Sequence, residues 1–282
     1  GLKNIPNSER LASSLGRLYL SSGQNTTALD YYSEERLQSC NCASLYLDRA
    51  QLRAQAGENQ AALNDLSKAI KLNPELPEAW FWKGMLHSRQ NQTTEALAAF
   101  KTAANFNTQQ AAVWQQIAIL QKQAGETHSA IEAIKKALRL EPEDYNLLQM
   151  YASLLEELLD QGDQSVMKDL TQTLLVMNDR FPKDSWTLAH LGTVIWQSGN
   201  EDEGRRLLQS ALAIRSDYTW AQLRLAQLYL VSKRWEDASF WLQEGLRTNP
   251  ENRWALQQLA ECYERLNRSR EAIQLMESWM QN

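Results

Sequence analysis

At 282 residues, with 43 % hydrophobic and 22 % charged side chains, the chain can bury a large core; 6 prolines and 11 glycines are too few breakers for many short strands. Its 29 Lys and Arg against 34 Asp and Glu give a net charge of −5, which provides no basic footprint for nucleic acid. The excess is uneven. Residues 1–144 carry 15 basic and 15 acidic groups and residues 145–282 carry 14 and 19, so the C-terminal half is expected to suit a neutral or basic partner. No run approaches the roughly 20 apolar residues that cross a bilayer, and direct membrane insertion is not expected. Cys40, Cys42 and Cys262 form no CxxC pair, so zinc, thioredoxin-like chemistry and a disulfide framework are not expected. Cysteine usage leaves cytoplasm and bacterial periplasm both open. The Gly-Leu-Lys start reads as that of a processed or excised piece, so a missing signal peptide carries no information.

Taken in chain order, the elements repeat every 34 residues after a tail of residues 1–8. Residues 9–42 place Ala12, Gly16, Tyr19, Gly23, Ala28 and Tyr32 in a frame that returns in 43–76 as Tyr46, Ala50, Gly57, Ala62, Leu66, Ala69 and Pro74. It continues in 77–110 (Trp80, Gly84, Ala96, Phe100, Ala103) and 111–144 (Trp114, Ala118, Ala130, Ile134, Ala137). Residues 145–184 are six longer than the others, and the extra length falls at the polar stretch Asp160 to Ser165. The frame resumes in 185–218 (Leu188, Gly192, Gly199, Gly204, Leu208, Ala211), 219–252 (Ala226, Tyr229, Ala238, Leu242, Pro250) and 253–282 (Ala260, Tyr263, Ala272, Met276). Each unit reads as two helices. In the fourth, Trp114, Ile117, Ala118 and Gln121 share one face, Gly125-Glu126 breaks the helix, and Ala130, Ile131, Ile134, Ala137 and Leu138 form a second stripe that Pro142 closes. Small residues such as Gly84, Ala118, Ala96 and Ala130 let two helix axes approach closely.

This pattern resembles the tetratricopeptide repeat (TPR) family, whose unit carries W-x₂-L-G-x₂-Y and then Ala, an aromatic, Ala and Pro. The match runs from residue 9 to 282. Departures are Leu170 and Met177, where small residues are usual, and Trp placed two positions early in the last three units. The resemblance implies an all-α, right-handed α-solenoid superhelix of antiparallel hairpins, eight in number, with first helices lining a concave groove.

Catalytic chemistry is not apparent. His87, His128 and His190 stand at three different repeat positions with no carboxylate or Cys neighbour, and read as surface or packing residues. No phosphate-cradling glycine motif and no HExxH occurs. Glu34-Glu35, Glu156-Glu157 and Glu201-Asp202-Glu203 read as solvated faces. No catalytic residue, cofactor or metal is therefore expected. The triplets at Asn25, Asn91 and Asn267 fall between the helices of a unit, where turn chemistry favours Asn and Ser.

Within each first helix, repeat positions 4, 7, 8 and 11 face the hairpin partner; 2, 5, 9 and 12 lie opposite, on the side that lines the groove in this family. The expected partner-binding residues are Arg17, Gln51, Phe81, Met85, Gln115, Lys122, Gln149, Trp186, Trp196, Trp220, Gln227, Trp254 and Gln257. Leu47, Glu156 and Thr193 stand on the same row. Trp186, Trp220 and Trp254 recur at 34 residues, either as a groove ladder or as packing against the preceding hairpin. The heat-shock carboxylate clamp of the family is built of Lys, Asn and Arg; the matching positions here are Ser13, Arg17, Asp48, Glu78 and Trp82, of which only Arg17 could serve. On the last helix, Ile273, Leu275, Met276, Trp279 and Met280 form an apolar surface open to a further segment, a partner or self-association. The expectation is a scaffold or adaptor holding a protein or peptide. Two alternatives stay open: part of a bacterial envelope, secretion or polysaccharide-export assembly, or the regulatory arm of an enzyme or transcription factor.

Overall fold

The computed structural model describes residues 14–16, 18–19, 22–34, 37–38, 42–106 and 109–280, and every regular element among them is helical. They fall into two compact units, residues 1–147 and 148–282. In the first, a short α1 (Asn25–Tyr31) precedes α2 (Ala43–Gln55), α3 (Asn59–Leu72), α4 (Pro77–Arg89), α5 (Thr93–Asn105), α6 (Ala111–Gln123) and α7 (Thr127–Leu140). Next comes α8 (Tyr145–Asp160), within which the division between the units falls. The second continues with α9 (Met167–Arg180), α10 (Ser185–Gln197), α11 (Glu201–Ile214), α12 (Thr219–Val231), α13 (Trp235–Thr248), α14 (Arg253–Arg265) and α15 (Ser269–Met280). Helices α2, α4 and α6 begin 34 residues apart, as do α10, α12 and α14. The six additional residues of 145–184 lengthen α8 to 16 residues, against 13 in α6, and add a three-residue 3₁₀ turn at Gln164–Val166.

Helix ends recur with the sequence. Each first helix stops at a residue in left-handed backbone: Gly23, Gly57, Gly125, Gly162 and Gly199, and, without glycine's freedom, Asn91, Lys233 and Asn267. The next N–H reaches back to a carbonyl five residues earlier, as in Glu126 to Gln121 (2.9 Å) and Arg234 to Tyr229 (2.9 Å). That 6→1 bond satisfies carbonyls the helix leaves over. Asn91 and Asn267 thus occupy the turns for backbone reasons, whereas Asn25 begins a helix.

Within each unit first helices pack on their own second helices and second helices on the next first helix, as in α2 on α3, α3 on α4 and α5 on α6 in the first and α10 on α11, α11 on α12 and α12 on α13 in the second. Burial follows that alternation. Ala96, Phe100 and Ala103 of α5, Ala130, Ile134 and Ala137 of α7, and Leu208 and Ala211 of α11 are fully buried. Leu170 and Met177, where small residues are usual, are buried too. Backbone faces backbone in the α10–α11 hairpin, where a methyl on Gly192 would lie 2.8 Å from the Gly204 carbonyl oxygen and one on Gly204 would lie 2.7 Å from that of Gly192. Across Gly84 the opposing atoms belong instead to the Phe100 ring, at 2.7 Å.

Two sequence expectations need correction here. Cys42 is disulfide-bonded, which a count of three cysteines with no CxxC pair did not suggest. Glu34 is no free solvated acid: it accepts from Lys68 Nζ at 2.9 Å and Arg49 Nη2 at 2.7 Å. Arg49 is itself buried and gives Nε and Nη2 to the buried Asp65 at 2.8 and 2.6 Å, with Arg53 adding a third bond at 2.7 Å. Removing one partner from such a cluster leaves an uncompensated charge in a dry place.

Gly192→Ala should cost about 2 kcal/mol net of the helix propensity it gains, because backbone must move, and should cost more than Gly84→Ala, where a ring can turn aside. Chemical denaturation of both variants checks the order. The Lys68 contact, followed by that of Arg49, holds the Glu34 carboxyl at about 2 against an ordinary 4.5. Its stabilisation is therefore complete above the unfolded value and is lost as pH falls through about 2. Glu34→Gln should flatten the fall in thermal midpoint across that acid range; an unaltered profile would refute the link.

Candidate partner-binding face

In the first unit, Phe81 is half-buried, its ring 5.7 Å from that of Phe100 and 6.3 Å from that of Trp82. Gln51, Met85 and Gln115 are half-buried and Lys122 is exposed. Arg17 lies outside the described residues. The row is not uniformly open: Leu47 in the first unit and Thr193 in the second are each 5 % exposed. Thr193 turns its hydroxyl back to the Ala189 carbonyl at 3.0 Å. Successive first helices touch directly, α2 with α4 and α10 with α12, so a neighbour covers part of what the helical wheel of one hairpin leaves free.

In the second unit the row carries an aromatic stack. The imidazole of His190 lies between the indoles of Trp186 and Trp220, with centroids 3.9 and 4.0 Å away and planes within 24° and 11°. The Tyr218 ring stacks on Trp220 at 6.0 Å, with the Arg215 guanidinium 3.7 Å from the Tyr218 centroid. Arg224 stands 5.0 Å over Trp220 and donates to Gln227 Oε1 at 3.0 Å. Trp186, Trp196, Trp220, Gln149 and Gln227 are half-buried; Trp254 and Gln257 are exposed. The Trp196 Cβ sits against Gly204, on the hairpin side.

The expectation that His190 has no acidic neighbour is overturned. Glu156 Oε1 lies 2.5 Å from His190 Nδ1, and Tyr218 Oη lies 3.3 Å from Nε2. A carboxylate only accepts, so Nδ1 carries the proton in this bond. Glu156, read as solvated charge, is thereby tied to the next first helix 34 residues on. The acid–imidazole–hydroxyl line resembles a nucleophile-activating relay, but its chemistry points elsewhere. Burial pushes the Tyr218 phenol up to about 12, so it keeps its proton and is no activated nucleophile. Two indoles cover both faces of the imidazole. The group reads as a staple joining α8, α10 and α12. Burial, with Glu261 adding to it, also raises the Cys262 thiol to about 11, far from thiolate reactivity.

The remaining histidines do not join this group. His87 bonds Gln92 at 2.6 Å across its turn, and His128 is exposed. Among the described residues no cluster of His, Cys, Asp and Glu could hold a metal ion, and no helix is long and apolar enough to cross a membrane. The opposite side of the first unit carries two clefts between second helices. One, of about 480 Å³, is floored by Trp114 and Ile117, and its counterpart of about 460 Å³ is floored by Trp80. On α15, Ile273 is 56 % and Trp279 39 % exposed, Leu275 and Met276 are half-buried, and the Met280 side chain lies outside the described residues.

Hairpins of this cadence define an all-α helical repeat solenoid of the tetratricopeptide class, and tetratricopeptide models match residues 196–251 and 255–280. More narrowly, the chain belongs to the family described as the Cilia and flagella-associated protein 70 C-terminal domain, whose model matches residues 2–173. Among solved structures it is similar to the C-terminal part of a TPR repeat-containing protein from Cytophaga hutchinsonii, with 12 % identity, 88 % of this chain and 99 % of that chain covered, and a TM-score of 0.65. PilF from Pseudomonas aeruginosa follows at 17 % identity, 71 % and 88 % coverage and a TM-score of 0.57. MamA from Desulfovibrio magneticus RS-1 matches at 15 % identity, 63 % and 97 % coverage and 0.54. At these identities the likenesses speak for the fold. A comparison with curated proteins finds no match.

His190→Ala empties the slot between the indoles and strands a half-buried carboxylate, for an expected loss of about 3 kcal/mol. Tyr218→Phe gives up one long hydrogen bond and should cost under about 1 kcal/mol. Urea unfolding of both variants tests the staple; equal costs would show that the stack ties nothing together.

Proposed function

We propose that the chain is a non-catalytic scaffold that holds a partner peptide or helix along the face of its first helices. Tetratricopeptide arrays are typically protein-interaction scaffolds, which supports the coarse reading. Stacked repeats expose an extended surface rather than an enclosed pocket, a geometry suited to a long ligand. We read the array as eight repeats from residue 9 to 282, each presenting such a surface on its own first helix.

The observation that carries the finer reading is the make-up of the first-helix row. Phe81 and Met85 in the first unit, with the amides Gln51 and Gln115, and Trp186, Trp220 and Trp254 in the second, with Gln149, Gln227 and Gln257, keep part of their surface open on the first helices of their own unit. Indoles offer large, stiff contact area at small entropic cost, and amides can pair with a ligand's backbone whatever its side chains. A row of aromatics and amides therefore suits an extended or helical peptide better than a compact solute.

Partner capture by the intact chain should fall roughly tenfold or more in Phe81→Ala/Met85→Ala, the loss expected for two apolar contacts. Gln115→Arg, which leaves the packing alone, should do likewise by crowding the row. Leu175→Ala, on the exposed surface of second helix α9, is the control and should change nothing. Undiminished recovery in the first two variants, with their melting curves intact, would count against the first-helix face.

A further inference from the structure

The cleft between α5 and α7 is floored by the hairpin-facing side of α6, away from the first-helix row, through Trp114, Ile117 and Gln121. Its volume of about 480 Å³ suits one ring together with the backbone that carries it. Gln121 stands at repeat position 11, which in the last two repeats holds tyrosine. There the ring is the chain's own. Tyr229 and Tyr263 are buried, and each hydroxyl accepts from a glutamine on the preceding second helix, Gln209 at 3.3 Å and Gln243 at 2.7 Å. Where those repeats place a phenol, the fourth places a shorter carboxamide beside an open cleft.

That carboxamide is incompletely satisfied. Gln121 is 8 % exposed, and its buried Oε1 meets no hydrogen-bond donor among the described residues. An acceptor left so is unfavourable, and a ligand that brings a donor recovers the loss. The counterpart cleft at Trp80 differs at this point, because its position-11 residue, His87, already bonds Gln92 at 2.6 Å.

Charge narrows the choice of donor. The lining holds Lys101 and Lys136 against one acid, Glu132, and Lys135 already meets that acid at 3.6 Å. A cationic side chain is therefore repelled. Lys136 lies 4.3 Å from the Trp114 ring centroid, an exposed contact that an entering ring can displace or share. Phenylalanine has the shape without the donor, and indole is larger and only donates. A phenol hydroxyl donates and accepts, and it already pairs with glutamine at the equivalent place in two later repeats.

We propose that this cleft takes the tyrosine side chain of a partner peptide. Its ring would lie against Trp114 and Ile117, and its hydroxyl would donate to Gln121 Oε1 as that carboxamide turns outward. The pairing of the second unit is thus reproduced with its members exchanged: glutamine from the first helix, phenol from outside. The site is separate from the scaffold face proposed above and stands or falls apart from it.

The test follows the Ile117 δ1 methyl by carbon-13 NMR in the full chain, with N-acetyl-tyrosinamide, N-acetyl-phenylalaninamide and N-acetyl-argininamide as probes. The tyrosine amide should shift that methyl at concentrations roughly two- to tenfold below the phenylalanine amide, the preference one added hydrogen bond gives. The arginine amide should shift it least. At the Leu63 methyls, in the Trp80 cleft, the two aromatic amides should titrate alike. Gln121→Leu, which keeps the bulk without a polar atom, should erase the preference at Ile117. Gln121→Tyr should fill the cleft from within, raise the thermal midpoint and abolish binding there. Equal titration of Ile117 by both aromatic amides, an arginine amide that matches the tyrosine amide, or a Gln121→Tyr chain that melts below the parent would each overturn the proposal. A tyrosine preference that appears at both clefts, or that survives Gln121→Leu, would do the same by removing Gln121 from the site.

Discussion

Close approach of helix backbones within a hairpin governs the rest of this molecule. Where Gly192 and Gly204 face each other there is no room for a methyl group on either side. At Gly84 the space a side chain would take is filled by the Phe100 ring. Small residues at these crossings fix how each hairpin closes, which fixes the apolar stripe the next hairpin must cover. Within each unit stability then accumulates by nearest neighbours, each helix pair leaning on the adjacent one.

The two compact units fasten their hairpins with different chemistry. In the first, buried Arg49 of α2 bridges from Glu34 beside α1 to Asp65 on α3, next to a core that holds Tyr32, Leu45 and Leu66. Such a cluster is costly to break from one side, and its attraction depends on the carboxylates staying charged. In the second, flat rings replace ions. His190 fills the space between two indoles while its nitrogens reach Glu156 and Tyr218, so packing and polar satisfaction are met by one side chain. A stack of this kind also leaves part of Trp186 and Trp220 at the surface.

Much of this was legible in the sequence because it is local. Glycine at the turn, small residues at the crossings and apolar residues every three or four positions point to the same helices, and the helices begin and end accordingly. What lay hidden was contact between repeats. Glu156 and His190 stand 34 residues apart on different helices, and nothing in either neighbourhood announces the other. The same holds for Glu34 and Lys68, also 34 apart. A shared offset of one repeat length is the signal that could have found both, since it places residues on successive hairpins at matching heights. The row of groove positions was only partly readable for the same reason: a wheel drawn for one hairpin does not include the neighbour that buries Leu47 and Thr193.

The lengthened segment between α8 and α9 has a consequence for how this array tolerates change. Three further α-helical residues advance the chain by about 300° about the helix axis, and three 3₁₀ residues add about one full rotation. Together they come within about 60° of two complete revolutions, so Leu170, Leu174 and Met177 of α9 still point inward although the repeat is six residues too long. Phase, more than length, is what such an insertion must respect. A lineage adding one or two residues here would swing that inward row toward solvent, whereas near-integral rotations can accumulate without disturbing the hairpins that follow.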